Sequence, residues 1–199
     1  QSGGGHDRNL LPGHRGNVTA LAFSADGAQL FAAAGDPGLV GEVRHWNVAD
    51  GKLIRSWDAH PDSLYALALS PDGKTLATGS YDGTAKIWDA ATGEPLSPPL
   101  PHESGVVYAM FSANGTRIAT VCNDKNRGHS ARIWSVDTAK ALGESFAGAT
   151  GVRFSPDGRR LAMGFLDRTI RFLDPASGDP LDAPIPLDGE LLRMSFTTR

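Results

Sequence analysis

A single cysteine, Cys122, occurs among the 199 residues. No intrachain disulfide framework can form, and a reducing compartment such as the cytoplasm is the expected setting. No apolar run approaches the roughly eighteen residues of a membrane-spanning helix. The opening residues, QSGGGHDRN, lack a signal-peptide pattern and an initiator methionine, so a processed, trimmed or fragmentary chain is expected. Gly3 to Gly5 read as a flexible lead rather than a phosphate cradle, because no strand pattern precedes them. Strong charge of one sign is also missing. The formal net charge is -3, which argues against nucleic acid, since its binders carry basic surfaces. No His-x-x-x-His and no paired-cysteine spacing exists among the six histidines and one cysteine, so neither a metal nor another cofactor is expected. What remains is 40% hydrophobic and 21% charged, the balance of a water-exposed globular domain.

The chain repeats itself. AFSADG, ALSPDG, MFSANG and RFSPDG end at Gly27, Gly73, Gly115 and Gly158, spaced by 46, 42 and 43 residues. Phe196 lies 42 residues after Phe154, so a fifth repeat begins before the sequence stops. A period near 42 matches a four-stranded propeller blade. The expected fold is all-β, with four blades and the first strand of a fifth. The blades are drawn at about 8–57, 58–99, 100–146 and 147–187, with the fifth from 188, after a flexible lead over 1–7.

Each repeat reads as short strands. The first, VTALAF, LYALAL, VVYAMF or TGVRF, is apolar without alternation, as expected of a strand covered on both faces. A Ser-x-Asp/Asn-Gly turn follows, built from residues that suit a tight hairpin. A second strand (KTLATGS in blade two) and a third ending in an aromatic or aliphatic residue (AKIW) come next, then a more polar outer strand such as KLIRSW or KALGESF. The proline-rich LSPPLPH and LDAPIPL fall between blades, where edges tolerate proline.

The run from Ala59-His60 through LATGSYDGTAKIWD to Trp88-Asp89 resembles the WD-repeat (WD40) family, and the likeness covers residues 8–196. His14 to Asp36, His60 to Asp82 and His102 to Asp124 are each 22 residues. The SPDG and DAATGEPL wording is similar to bacterial members, some of them fused to protein kinases, although no kinase signature is present here. The resemblance implies a buried hydrogen-bond chain of Asp, His, Ser/Thr and Trp in each blade. Blade two carries His60, Thr78, Asp82 and Trp88. Blade three carries His102, Thr120, Asp124 and Trp134. Blade one keeps His14, Asp36 and Trp46 but has Ala32 at the Ser/Thr position. Blade four has Met163 there, Leu173 for Trp and Ser145 for His, leaving Asp167 alone. A buried indole or imidazole without partners costs roughly 1–3 kcal/mol, so these sets read as structural.

Burial explains the same groups better than catalysis does. A Ser-His-Asp triad must converge on a substrate, whereas these sets repeat in parallel blades. Glu103 and Glu144 are lone carboxylates, and the glycosylation-type sites at Asn17 and Asn114 fall on a strand approach and a turn. Cys122 reads as a buried structural thiol.

One irregularity points to function. Asp82 to Trp88 is 6 residues, but Asp36 to Trp46 and Asp124 to Trp134 are each 10. Blades one and three thus carry four extra residues in the same loop, and blade two places Tyr81 just before its aspartate. Insertions on one face of a repeat array mark its binding face. The expected contacts are Leu39 and Val40 of the first loop, Tyr81, and Lys125, Arg127 and His129 of a short basic loop. The function read from this pattern is a non-catalytic scaffold that binds a protein or peptide, with no nucleic acid and no membrane. Self-association through open propeller edges is a further expectation. The alternatives are an architectural or sensor part of a larger regulatory protein, such as a kinase fusion, and an enzymatic propeller. The inner strands offer only Arg153 and Arg193 as charges, which is poor material for the last.

Overall fold

The computed structural model describes residues 11, 13–124 and 128–189. The described residues contain strands and no helix. Sixteen strands form four antiparallel sheets of four, each sheet taking consecutive strands. Sheet one holds β1 (Val18–Phe23), β2 (Gln29–Ala34), β3 (Gly41–Asn47) and β4 (Leu53–His60). Sheet two holds β5 (Leu64–Leu69), β6 (Thr75–Ser80), β7 (Thr84–Asp89) and β8 (Leu100–Pro101). Sheet three holds β9 (Val106–Phe111), β10 (Arg117–Asp124), β11 (Gly128–Ser135) and β12 (Phe146–Ala147). Sheet four holds β13 (Ala149–Phe154), β14 (Leu161–Phe165), β15 (Thr169–Leu173) and β16 (Ile185–Pro186). These are the four blades of a β-propeller. The strand expected at Leu191 to Phe196 and the one at Arg8 to Leu11 lie outside the described residues, Leu11 excepted.

The repeated turn explains why the first two strands of each sheet meet. In sheet two the Ser70 hydroxyl donates to Asp72 Oδ1 at 2.6 Å, and the Thr75 N–H donates back to Ser70 Oγ at 2.9 Å. Gly73 takes φ 72°, a left-handed conformation that penalises a side chain, and its N–H reaches Ser70 O at 2.9 Å. Ser24 with Asp26, Ser112 with Asn114 and Ser155 with Asp157 repeat the hydroxyl-to-oxygen bond.

The core lies between sheets. Phe31, Ala33, Val43 and Ala59 of sheet one pack on Leu64, Leu67, Leu76 and Trp88 of sheet two. Ala77, Ala85, Ile87 and Leu100 of sheet two pack on Val106, Phe111, Ile118 and Trp134 of sheet three. Ala119, Val121, Ala131 and Ile133 then meet Val152, Phe154, Leu161, Met163 and Leu173 of sheet four. Every interface sets the flank of one sheet that carries Trp88, Trp134 or, in sheet four, Leu173 on the opposite flank of the sheet before it.

Two expectations change. The first strand of every blade was expected to be covered on both faces, yet Leu21 and Phe23 of β1 are 58% and 57% exposed. Alternation sends Ala20 and Ala22 toward sheet two, and no described sheet covers the opposite flank. The extra residues of blade three do not form a loop like that of blade one. They lengthen the hairpin, whose β10 and β11 have 8 residues each. His129 is paired with Asn123 inside that ladder rather than standing in a loop. A hairpin extended in register satisfies its own backbone groups, which a longer loop would leave to water.

Candidate functional site: buried staples and a loop face

The polar sets come first because they hold the loops. In sheet two the Trp88 Nε1–H donates to Thr78 Oγ1 at 2.8 Å. The Thr78 hydroxyl donates to His60 Nε2 at 2.8 Å, and His60 Nδ1–H donates to Asp82 Oδ2 at 2.8 Å. Only this direction satisfies all members, since a carboxylate accepts and an indole donates. Burial is the main force holding the His60 pKa below the usual imidazole value, against the pull of Asp82. Asp82 in turn fixes its own loop by accepting from Thr84 N–H at 2.8 Å and from the Thr84 hydroxyl at 2.7 Å. Burial alone would raise its pKa, but the bonds from Thr84 and His60 leave it below the usual carboxylate value.

Sheet three repeats part of this. Trp134 Nε1–H donates to Thr120 Oγ1 at 2.9 Å, and Thr120 lies 2.7 Å from His102 Nε2. His102 Nδ1–H donates to the Leu100 carbonyl at 3.0 Å. Burial pushes the His102 pKa down to about 4, with Arg132 adding to the shift and the bond to Leu100 opposing it. Asp124 closes β10, but its side chain lies outside what is described.

Sheet one departs from the pattern. His14 Nδ1–H donates to Glu42 Oε1 at 3.1 Å, not to Asp36. The four extra residues carry Asp36 away, and it accepts instead from Asn17 Nδ2 at 2.6 Å. Glu42 is buried and also accepts from Arg15 N–H at 2.7 Å and Arg44 Nε at 3.2 Å. Burial opposes its charge, yet these bonds keep its pKa below the usual carboxylate value. Trp46 is buried, with the His14 ring edge-on at 5.2 Å. Because Ala32 carries no hydroxyl, His14 Nε2 is buried with no partner among the described residues. Glu42 had a sequence signal. It stands four residues before Trp46, where Thr84 and Ser130 stand before Trp88 and Trp134. In sheet four Met163 and Leu173 are buried and apolar, so the set is replaced rather than broken. Asp167 is exposed there and bonds its neighbours Thr169 and Arg171.

The loop ends of the sheets form a continuous rim. Gly38 N–H donates to Asp62 Oδ1 at 2.9 Å, tying the Leu39–Val40 loop to the connection before β5. Tyr81 N–H donates to Ser63 O at 3.0 Å, and its ring stands 6.1 Å from that of Tyr65. Tyr81 lies against Gly105, whose carbonyl accepts from Asn123 N–H at 3.1 Å. Gly148 N–H reaches His129 O at 2.7 Å, and Leu166 N–H reaches Gly148 O at 2.9 Å. Leu39, Val40 and Tyr81 are thus brought to one exposed rim, with His129 half-buried beside it. Lys125 and Arg127 lie outside the described residues. Tyr65 and Leu166 were not foreseen. Leu166 immediately precedes Asp167 as Tyr81 precedes Asp82, so the rule that found one would have found the other. Both are highly exposed, Tyr81 at 58% and Leu166 at 60%.

Among the described residues, no group of three or more His, Cys, Asp or Glu side chains is placed to hold a metal. No helix among them is long and apolar enough to cross a membrane.

Four sheets of consecutive strands, two of their joints stapled through buried His–Thr–Trp sets, with connecting loops gathered on a rim, define a repeat propeller. The chain belongs to the WD40 family (WD domain, G-beta repeat), whose model matches residues 5–39, 51–89 and 126–174. It is similar to eukaryotic translation initiation factor 3 subunit I of Drosophila melanogaster, 28% identical over 132 residues, which is 66% of this chain and 39% of that one. It is also similar to periodic tryptophan protein 2 of Arabidopsis thaliana, 31% identical over 170 residues, 83% of this chain and 18% of that one. Apoptotic protease-activating factor 1 of Rattus norvegicus is 29% identical over 181 residues, 89% of this chain and 14% of that one. The chain thus spans well under half the length of these relatives.

Proposed function

We propose that the chain is a non-catalytic interaction platform that holds a protein or peptide on its loop rim. One observation carries this reading. Large apolar side chains, Leu39, Val40, Tyr81 and Leu166, stand in water on loops that are hydrogen-bonded to one another across all four sheets. Exposed apolar groups on a rigid base are the usual anchors of an interface, with tyrosine prominent among them. The sheets fix the base, so little ordering entropy is lost on docking. Lys125, Arg127 and His129 would favour an acidic or phosphorylated segment, because arginine grips such oxygens in a fork. The subunit named in one relative supports the same reading, since a subunit works by contact with other chains.

The test is affinity capture from native lysate by the wild type and by the Tyr81→Ala, Arg127→Ala double variant. The captured partner should weaken more than tenfold while the urea midpoint is unchanged. Undiminished capture would sink the proposal. The short span relative to its relatives favours a second reading, that the chain is one part of a larger regulatory protein. Self-association is a separate mode of partnering, favoured by Val18, Leu21 and Phe23 standing in water on the flank of sheet one.

A further inference from the structure

The chain repeatedly sets a cation over an aromatic ring. Arg153 stands 5.1 Å from the ring centre of Tyr108, Arg132 5.4 Å from that of Trp134, and Lys86 5.5 Å from that of Trp88. Of the three tyrosines, only Tyr65 and Tyr81 have no such cation among the described residues, although they are 37% and 58% exposed.

The backbone builds these two into a pair. Leu64 pairs with Ser80 and Ala66 with Gly79, so Tyr65 is the extra residue of a bulge, a device that re-aims a side chain. The same bulge holds Thr19 in sheet one and Thr150 in sheet four, and their hydroxyls donate back to the Ala33 and Gly164 carbonyls, each at 3.2 Å. Only sheet two places an aromatic ring there. Tyr81 is fixed through its N–H to Ser63 O at 3.0 Å, and Gly105 leaves it room, since a β-carbon there would stand 3.0 Å from Tyr81 Cδ2. The two rings meet at 6.1 Å and 56°, a tilted corner whose phenol hydroxyls have no partner among the described residues. Sheet two carries a described sheet packed on either side.

A carboxylate stands beside this corner. The Asp62 carbonyl accepts from the Ser80 hydroxyl at 3.2 Å, next to Tyr81, and Asp62 adjoins the Ser63 that holds Tyr81. Its Oδ1 accepts from Gly38 N–H at 2.9 Å and Ser63 N–H at 2.7 Å, and it has no ion pair among the described residues. The bond from Gly38 holds the Asp62 pKa below the usual carboxylate value, while the charge of Asp82 pushes the other way. Arg15 and Arg44 of the neighbouring sheet are already engaged, with Asp58 and Glu42.

We propose that the Tyr65–Tyr81 corner receives an arginine side chain of the partner, stacked on a tyrosine ring and paired with Asp62. This rests on the rim reading and names one group that the partner must carry. Charge complementarity and the chain's own cation-on-ring contacts select the occupant. A planar guanidinium can lie on a ring and still offer its N–H edge to a carboxylate, which an ammonium cannot do.

The test titrates the folded chain with two acetylated, amidated peptides, Leu-Arg-Leu and Leu-citrulline-Leu, and follows the tyrosine ring resonances by NMR. Citrulline keeps the shape of arginine and removes its charge. The arginine peptide should shift the Tyr65 and Tyr81 rings saturably and bind roughly fivefold more tightly than the citrulline one. Tyr65→Thr, the residue found at this bulge in sheets one and four, and Asp62→Asn should each remove most of that preference. Urea midpoints establish that both variants are folded, and Asp62→Asn alone decides should Tyr65→Thr unfold. Equal binding of the two peptides overturns the proposal. So does a preference that survives Asp62→Asn, or tighter binding of Leu-Glu-Leu. Loss of capture in the Tyr81→Ala, Arg127→Ala variant together with equal peptide binding overturns the arginine assignment and leaves the rim reading standing. An arginine preference with undiminished capture supports the arginine seat and overturns the rim reading.

Discussion

His60 ends the outer strand of sheet one, yet its Nε2 lies 2.8 Å from the Thr78 hydroxyl of sheet two. The imidazole belongs to one sheet by its backbone and to the next by its hydrogen bonds. His102 repeats the arrangement, following β8 of sheet two and meeting Thr120 of sheet three. The polar sets are therefore staples between blades rather than ornaments within one. That is why they fix the loops on both sides of the two joints that carry them.

Trp88→Phe keeps most of the apolar contact at this joint but removes the indole donor. Thr78 is completely buried and loses a partner that no water can replace. The expected loss is roughly 1–3 kcal/mol in urea unfolding. An unchanged midpoint would show that the staple carries no stability.

Ala32→Ser should act in the opposite direction. It places a hydroxyl on the flank that carries Trp46, at the position Thr78 and Thr120 hold in their sheets. The partner is the orphaned His14 Nε2. A gain of about 1 kcal/mol is expected, the typical worth of one hydrogen bond. A lowered midpoint would mean that crowding at this buried site outweighs the new bond.

Acid should loosen the joints before it reaches the carboxylates. His102 titrates at about 4 in the folded chain, against 6.5 when unfolded. The depressed value means that its contribution is fully present above 6.5 and is lost as pH falls toward 4, because the unfolded state binds the proton first. The loss is about 3 kcal/mol at most for this residue. His60 shifts in the same direction. Stability measured between pH 7 and pH 4 should fall, and more shallowly in His102→Gln. Equal slopes in variant and wild type would remove His102 as the cause.

Gly79→Ala tests the packing between sheets two and three. A β-carbon there would stand 2.6 Å from Val106 Cγ1 and 3.1 Å from Ala66 Cβ. Val106 is fully buried and cannot retreat. Overpacking of this kind costs roughly 1–3 kcal/mol. A neutral result would show that the joint yields more than its burial suggests.

The sequence alone determined the repeat, the all-β class, the four members of the blade-two staple and the His102, Thr120 and Trp134 of the blade-three one. Each of these depends on local spacing: a period near 42, a Ser-x-Asp-Gly turn, and histidine and aspartate 22 residues apart. Tertiary structure decided the rest. Spacing paired His14 with Asp36, but four inserted residues moved that aspartate, and Glu42 reached the histidine from another strand. Equal insertions in blades one and three became a loop in one and a longer hairpin in the other. An apolar strand looks the same whether or not a sheet lies beside it, so the exposure of Leu21 could not be read from its own segment. Hydrogen-bond partners and covered faces are set by distance in space, which a linear pattern constrains only where the repeat is regular.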